Sequence, residues 1–221
     1  YYNNKTIHTF TGSGTFVNPG SISGVEIVMV AGGGAGGNNI AGGGGAGGYL
    51  QSETPLILTA NTYTIVVGGG GGSLNSSGDA TPGDASNTTI TYPGPYTWTA
   101  NRGGHGSSYP DVAAQPGGSG GGGGSDSQPE GSSTQSPSPT PLGTLTGYGN
   151  AGGDVPSAYS GGGGGGAGAA GSDIPGPGVG GAGGVGKQLP ATFRNPGSAP
   201  SSTDPAPYQR GGGLGTPGPG P

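Results

Sequence analysis

The sequence predicts a mainly β protein in which short strands alternate with extended polyglycine-II-like and polyproline-II-like segments, with essentially no helix. Two observations lead to this prediction. Glycine supplies 61 and proline 22 of the 221 residues. Their combined share is well above the roughly 25–30% that marks low-complexity or fibrous chains. Apolar, β-branched runs stand between the glycine runs, and glycine or proline interrupts every candidate helical period. We therefore expect a small N-terminal β module followed by a glycine-rich bundle.

The strands are predicted from β-prone segments that flank turn residues. Residues 6–11 and 15–17 surround a Gly-Ser-Gly turn and predict a hairpin, because glycine tolerates the positive φ of tight turns. Residues 25–30 form an apolar, β-branched run, which is typical of a strand buried on both faces. Two further hairpins are expected, one from residues 56–58 and 63–67 and one from residues 88–92 and 96–99.

Seven near-pure glycine runs predict the second kind of element. They lie at residues 32–37, 42–48, 68–72, 120–124, 161–171, 176–186 and 211–213. Collagen is excluded because glycine does not recur strictly at every third position. A polyglycine-II rod has three residues per turn and no internal hydrogen bonds, so its N–H and C=O groups must bond neighbouring rods. We expect such rods to pack side by side, with alanines at the rim, where a methyl group fits.

The apolar residues divide the chain unevenly. Leu, Ile, Val and Phe number 29, and 17 of them fall within the first 67 residues. We therefore predict a β-strand module with interleaved glycine runs at residues 1–100. Residues 101–221 are predicted to form a Gly/Pro-rich, polyglycine-II-like region with Pro/Ser/Thr loops, and the two regions to form one continuous structural unit. Because residue 1 is Tyr1 rather than Met, we expect a processed product or the ordered part of a longer protein.

Composition and charge exclude several classes of protein. Only 5 residues are Lys or Arg and the formal net charge is -5, which disfavours nucleic-acid binding. The chain has no cysteine, so neither a disulfide framework nor a thiolate metal site is expected. The sequence has no run of about 18 apolar residues, so no membrane span is predicted.

One glycine run has the pattern of a nucleotide-binding loop. Residues 32–37 read G-x-G-x-x-G after a predicted strand, and Glu53 follows about twenty residues on, as in dinucleotide-binding sites. Such a site needs a helix that opens at the glycine loop. The residues that follow here are Asn, Ile, Ala and more glycine, which cannot form it. We therefore predict no cofactor.

Two sets of polar residues are candidates for a catalytic site or a metal site. His105 lies near Ser107 and Asp111, and Asp79 and Asp84 flank a Pro-Gly turn. The first set lacks the nucleophile elbow of a hydrolase, and the second lacks the ligand spacing of a calcium-binding loop. We therefore predict no catalytic residue and no metal site, and a protein that is not an enzyme.

One group of aromatic side chains is a candidate contact surface. Tyr92, Tyr96 and Trp98 cluster on one predicted hairpin. Exposed Tyr and Trp in a polar setting make contact surfaces for carbohydrates or protein partners. The three residues are therefore predicted ligand or partner contacts, with a host surface glycan as one ligand. The alternative is that they cover the ends of the glycine bundle.

The order of the segments is similar to that of a known family. Residues 6–85 contain a strand pair, then VEIVMVAGGGAGG, AGGGGAGGYL, ANTYTIVVGGGGG and GDAS. This arrangement resembles the glycine-rich domain of bacteriophage tail fibres and related virion appendage proteins, including adhesins with bundled polyglycine-II helices. The resemblance implies a non-catalytic structural protein of an extracellular fibre or phage virion appendage.

The same resemblance implies an extracellular or virion location. It also implies that the partners are further copies of the chain and other virion or fibre proteins. Two alternatives stay open. One is a self-assembling microbial extracellular filament subunit, and the other is a carbohydrate-binding adhesin that uses Tyr92, Tyr96 and Trp98.

Overall fold

The computed structural model describes residues 5–72, 85–109, 112–125, 127–156, 159–176, 178–194 and 210–211. Residues 210 and 211 are described by their backbone alone. Within these ranges the chain forms twelve short strands and one turn of 3-10 helix, Ala191–Phe193. The predictions of a mainly β protein and of essentially no helix are therefore confirmed. In chain order the strands are β1 Gly14–Asn18, β2 Ile22–Val25, β3 Val28–Val30, β4 Tyr49–Gln51, β5 Leu56–Leu58, β6 Asn61–Val66, β7 Thr88–Tyr92, β8 Tyr96–Ala100, β9 Ser138–Thr140, β10 Gly143–Tyr148, β11 Lys187–Gln188 and β12 Arg210–Gly211.

Two four-stranded antiparallel sheets contain most of the strands. The first has the order β1-β6-β7-β8 and the second has the order β3-β4-β10-β9. β2 pairs with β5, and β11 pairs with β12, in two-stranded sheets. Side chains from both four-stranded sheets and from β5 build one apolar core. Its fully buried members include Leu50, Tyr63, Trp98 and Leu145.

A row of threonines crosses the outward face of the first sheet. Thr15, Thr64, Thr91 and Thr97 are in register on its four strands, and the Oγ1 atoms of Thr91 and Thr97 lie 3.0 Å apart. Successive residues of a strand point to opposite faces, so Trp98, which follows Thr97, points into the core. Cross-strand threonine pairs stabilise such sheets.

The predicted hairpins have different outcomes. The hairpin of residues 88–92 and 96–99 is confirmed, since β7 and β8 pair in register up to Tyr92↔Tyr96. The hairpin of residues 6–17 is wrong, because residues 6–11 form no strand and β1 pairs with β6. The strands predicted near residues 56–58 and 63–67 exist but are not partners. β5 pairs with β2, and β6 lies between β1 and β7.

The apolar run at residues 25–30 is not the single strand that was expected. β2 ends at Val25 and β3 begins at Val28, and the two strands belong to different sheets. Between them, the N–H of Ile27 donates to Ser52 Oγ at 2.9 Å. The N–H of Ser52 donates back to Ile27 O at 3.0 Å. These two bonds hold the chain where it passes from one sheet to the other.

Glycine-rich rods continue directly from the strands. Eight segments are named here as rods 1 to 8, in chain order: residues 31–37, 41–48, 67–72, 101–108, 117–125, 149–155, 160–167 and 179–186. Rod 1 follows β3, rod 4 follows β8, rod 6 follows β10, and rod 2 leads into β4. The N–H groups of Ala31, Gly34 and Gly37 donate to the carbonyls of Gly48, Gly45 and Gly42 at 3.1, 2.8 and 3.0 Å. This period of three is that of polyglycine II, so the predicted rods are confirmed for the runs at residues 32–37 and 42–48. Of the predicted run at residues 211–213, the structure describes only Gly211, which belongs to β12.

Rod 5 lies at the centre of the bundle, and all of its residues are buried. Ser119 and Gly122 donate to carbonyls of rod 2, whereas Gly120 and Gly123 donate to carbonyls of rod 6. The carbonyls of the same four residues accept N–H groups from rod 4 and rod 7. Rods from the first hundred residues and from the remainder therefore share one hydrogen-bond network.

The close approach of carbonyl groups explains why the bundle is built from glycine. A Cβ atom on Gly34, Gly45 or Gly122 would come closer than 3.0 Å to a carbonyl oxygen of a neighbouring rod, a distance that real Cβ atoms essentially never show. Alanine is not confined to the rim, contrary to the prediction. Ala46 and Ala167 are only 3% and 2% exposed, and their methyl groups lie inside the bundle. The direction of each Cβ within the rod therefore decides where alanine fits.

Candidate functional site

The predicted contact residues Tyr92, Tyr96 and Trp98 lie together on the β7–β8 hairpin. The Tyr92 ring centroid lies 5.5 Å from the centroids of both Tyr96 and Trp98. Trp98 is fully buried, and its Nε1 donates to Gly143 O of the second sheet at 3.2 Å. Tyr92 is also buried and packs against Tyr63, whereas Tyr96 is 42% exposed. A surface ligand can therefore reach Tyr96, and the role of the three residues as ligand contacts stays a prediction.

Two weak motifs of the sequence lie inside the bundle. The G-x-G-x-x-G segment forms most of rod 1, and residues 38–48, which follow it directly, form no helix. His105 and Ser107 are buried in rod 4. The imidazole Nδ1 of His105 lies 3.0 Å from Gly106 O, and Ser107 Oγ accepts the N–H of Gly42 at 3.2 Å. Both side chains therefore bond to backbone groups and serve the packing of the rods.

The other polar candidates from the sequence are Asp79, Asp84 and Asp111, and all three lie outside the described residues. Within the part of the chain that the structure describes, no three His, Cys, Asp or Glu side chains gather as a metal-binding group. A helix long and apolar enough to cross a membrane is likewise not found among the described residues.

Sequence reasoning missed a cluster of polar side chains where β4 and β10 pair, called here the tyrosine–carboxylate cluster. It consists of Tyr49, Gln51, Glu53, Tyr148 and Lys187. The Tyr49 hydroxyl donates to Gln51 Oε1 at 2.8 Å, and Gln51 Nε2 donates to Glu53 Oε1 at 2.7 Å. The Tyr148 hydroxyl donates to the same Glu53 oxygen. Lys187 Nζ lies over the Tyr148 ring, 3.9 Å from its centroid.

The hydrogen bonds of the cluster set the protonation of its members. The hydrogen bond to Glu53, followed by burial, raises the pKa of Tyr148 to about 12. Hydrogen bonds from Tyr148 and Gln51 hold the pKa of Glu53 below its usual value, and burial raises the pKa of Tyr49. The phenols thus stay neutral donors and the carboxylate stays a charged acceptor. Such an arrangement clamps two strands together and offers no activated nucleophile.

The end of the bundle away from the sheets carries a second exposed surface, called here the distal loops. It comprises the described residues 38–40, 109, 127–128, 159 and 178. Backbone bonds tie the loops to one another, since the N–H of Tyr109 donates to Asn39 O at 3.2 Å and the N–H of Ser125 donates to Ile40 O at 3.4 Å. These loops hold a side chain that is largely exposed, Tyr159, at 70%.

Backbone strain is concentrated in the distal loops. Asn39, Ile40, Ser127 and Tyr159 have positive φ angles of 59°, 47°, 59° and 69°. Non-glycine residues rarely adopt such angles, and strained residues cluster at functional sites. The sequence contains no signal for this surface, because the residue types themselves do not indicate a positive φ. The distal loops are therefore a second candidate contact surface, beside Tyr96.

Comparison with known proteins gives one match. A family model described as a glycine-rich domain matches residues 9–221, almost the whole chain. Neither a curated protein nor a solved structure matches the chain. The family match agrees with the rods and strands described above, which alternate along the described part of these residues. On this evidence the chain belongs to the family of glycine-rich domains.

Proposed function

We propose that the chain is a non-catalytic structural protein of an extracellular fibre or a phage virion appendage. The observation that supports this most directly is the bundle of rods, in which bonded residues recur with a period of three and neighbouring rods share one network. A body of this kind derives its rigidity from backbone hydrogen bonds and presents few functional side chains. The resemblance of residues 6–85 to tail-fibre domains supports a virion as the site of assembly.

The distal loops give the proposed subunit a contact surface. They lie at the far end of rods that are anchored in the sheets, so a rigid support holds them away from the core. Their positive φ angles and the exposed Tyr159 are features of surfaces that meet a partner. We propose that this end faces another fibre protein or a host surface.

Cryo-electron microscopy of the native source material tests the proposal, with an antibody against the purified chain to identify its position. We expect copies on a tail, capsid or surface fibre, arranged with closed point symmetry. Copies stacked along an open helical axis would instead identify a self-assembling filament subunit. Antibody label confined to material that forms no fibre or appendage would contradict both proposals.

A carbohydrate-binding adhesin is a second candidate, favoured by the exposed Tyr96 beside Tyr92. A glycan array of the wild-type chain and of Tyr96→Ala tests it. The adhesin proposal expects a defined glycan to bind and the variant to lose that binding. Ile57→Ala, which removes an exposed side chain of β5 outside both candidate contact surfaces, is the matched control. Equal binding by the wild-type chain and Tyr96→Ala would overturn the proposal.

A further inference from the structure

We infer that rod 1 is an open edge of the hydrogen-bond network, and that a second copy of this chain completes the network there. The open edge consists of Gly33 and Gly36 of rod 1 and Gly70 of rod 3, all of which are exposed. The inference deepens the proposed function and rests on it for the choice of partner, since a structural subunit meets further copies of itself.

Two of the three rows of rod 1 are already paired within the chain. The first row, Ala31, Gly34 and Gly37, donates to rod 2. In the second row, the carbonyls of Gly32 and Ala35 accept N–H groups from rod 4 at 2.8 and 2.9 Å. Rod 1 is therefore held firmly on two sides.

The third row of rod 1 is the open one. The carbonyl of Gly33 accepts the N–H of Gly71 at 2.9 Å. Among the described residues, the N–H of Gly33 and both backbone groups of Gly36 have no backbone partner. An exposed row of unpaired backbone groups is a template for another chain, as at the edge of a β-sheet. A rod of a second copy can pair with these groups and so continue the network across the contact.

Neither packing nor backbone conformation within the chain requires glycine at the open edge. A Cβ on Gly33, Gly36 or Gly70 would lie 3.7, 3.9 or 3.6 Å from its nearest atom, which is ordinary van der Waals contact. None of the three has a φ in the left-handed region. Glycine loses more conformational freedom on folding than alanine, so alanine would be the better residue here if this surface met only water. A rod of a second copy, packed as closely as the internal rods are, would leave no space for a Cβ and would explain why glycine occupies these positions.

Rod 8 differs from rod 1 because one of its exposed rows carries side chains. Val179, Ala182 and Val185 of rod 8 are exposed and recur with the three-residue period of the rod, so they form one ridge. Side chains on this row keep another rod from approaching to hydrogen-bonding distance. The contrast between the bare glycines of rod 1 and the ridge of rod 8 favours rod 1 as the contact, and two copies that meet through this same surface form a closed pair.

Sedimentation velocity of the purified chain over a range of concentrations tests the open edge. We expect the wild-type chain to pass from monomer to dimer as concentration rises. The double variant Gly33→Ala, Gly36→Ala should remain monomeric and be no less stable than the wild-type monomer, because a Cβ at either position makes only ordinary van der Waals contact within the chain. Ala182→Val, which adds bulk on the ridge of rod 8, is the matched control and should dimerise like the wild-type chain.

A wild-type chain that stays monomeric throughout, or a double variant that still dimerises, would overturn the inference. If the double variant misfolds, amide exchange of the wild-type chain decides the question. Exchange at Gly33 and Gly36 should slow as the dimer forms, and unchanged exchange at both would also count against the open edge. A dimer in solution without any fibre in the source material would support the open edge and contradict the proposed function, so the two failures are distinguishable.

Discussion

Trp98 links the two four-stranded sheets through a single side chain. It stands on β8, and its indole N–H donates to Gly143 O at the start of β10. The φ of Gly143 is 132°, in a region that L side chains rarely adopt, so glycine is required where the carbonyl turns towards the indole. The bond between the sheets therefore depends on both residues, although only the tryptophan could be singled out from the sequence.

We expect Trp98→Ala to lower the free energy of unfolding by about 3–5 kcal/mol, the usual cost of truncating a large buried aromatic side chain. Tyr96→Ala, its half-exposed neighbour on the same strand, should change the stability far less. Urea denaturation followed by circular dichroism measures both variants. Similar losses for the two would contradict the placement of Trp98 in the core and of Tyr96 at the surface.

The Tyr148–Glu53 hydrogen bond makes stability depend on pH at both extremes. Because the pKa of folded Glu53 is lowered, its contribution is present above its ordinary pKa and is lost as pH falls through the folded value. Because the pKa of folded Tyr148 is raised from 10.0 to about 12, its contribution is full below pH 10 and is lost as pH rises through 12.

Tyr148→Phe keeps the ring under Lys187 but removes the hydroxyl. We expect the variant to be less stable than the wild-type chain near pH 7 and to lose less stability between about pH 10 and 12. Urea midpoints at several pH values measure this, with Tyr159→Phe at an exposed site as the control. Parallel pH profiles for the wild-type chain and Tyr148→Phe would show that the hydrogen bond does not set the tyrosine pKa.

At the scale of the element, adjacent glycines of one rod differ in whether a side chain could be added to them. Gly33 and Gly34 are neighbours in rod 1, yet only Gly34 faces the Gly104 carbonyl of rod 4 closely enough to exclude a Cβ. Gly34→Ala should therefore destabilise the chain by about 1–3 kcal/mol, as overpacking does. Gly33→Ala should be neutral or stabilising by up to about 1 kcal/mol, through the unfolded state.

Thermal unfolding at low protein concentration, where the chain is monomeric, compares the two alanine variants. The low concentration keeps any contact between chains from obscuring the difference. Equal melting temperatures for Gly33→Ala and Gly34→Ala would contradict the packing of rod 1 against rod 4.

Some secondary-structure elements and their pairings could be predicted from the sequence, and others could not. The β7–β8 hairpin was predictable because two alternating segments flank a Pro-Gly-Pro turn and pair locally. The pairing of β1 with β6 joins residues such as Phe16 and Tyr63, which are far apart in the chain, and no local signal indicates it. The three-residue period of the rods followed from composition, but the choice of neighbours depends on packing. For the same reason Trp98 could be singled out from the sequence only as one of three aromatic residues in a candidate contact surface, and its burial in the core could not be predicted.

At the scale of the whole molecule, backbone bonds replace much of the usual apolar core. Only 29 of the 221 residues are Leu, Ile, Val or Phe, and nearly all of rod 5 is buried polar backbone. Exposure of apolar surface raises the heat capacity of unfolding, whereas exposure of polar surface lowers it. We expect calorimetry to give a heat-capacity change per residue below the about 12–15 cal/mol/K of ordinary globular proteins. A globular β-sandwich of similar length, measured in the same buffer, is the control, and equal values for the two proteins would contradict this account.

The direct continuation of strands into rods also has a mechanical consequence. A pull on β3, β8 or β10 passes along the covalent chain into rods 1, 4 and 6 without crossing a flexible joint. Because the rods lie side by side and bond at every third residue, tension acts on them as shear, and many hydrogen bonds must break together rather than one after another. We therefore expect the molecule to resist stretching along the rods and, in single-molecule force spectroscopy, to unfold at high force in one step.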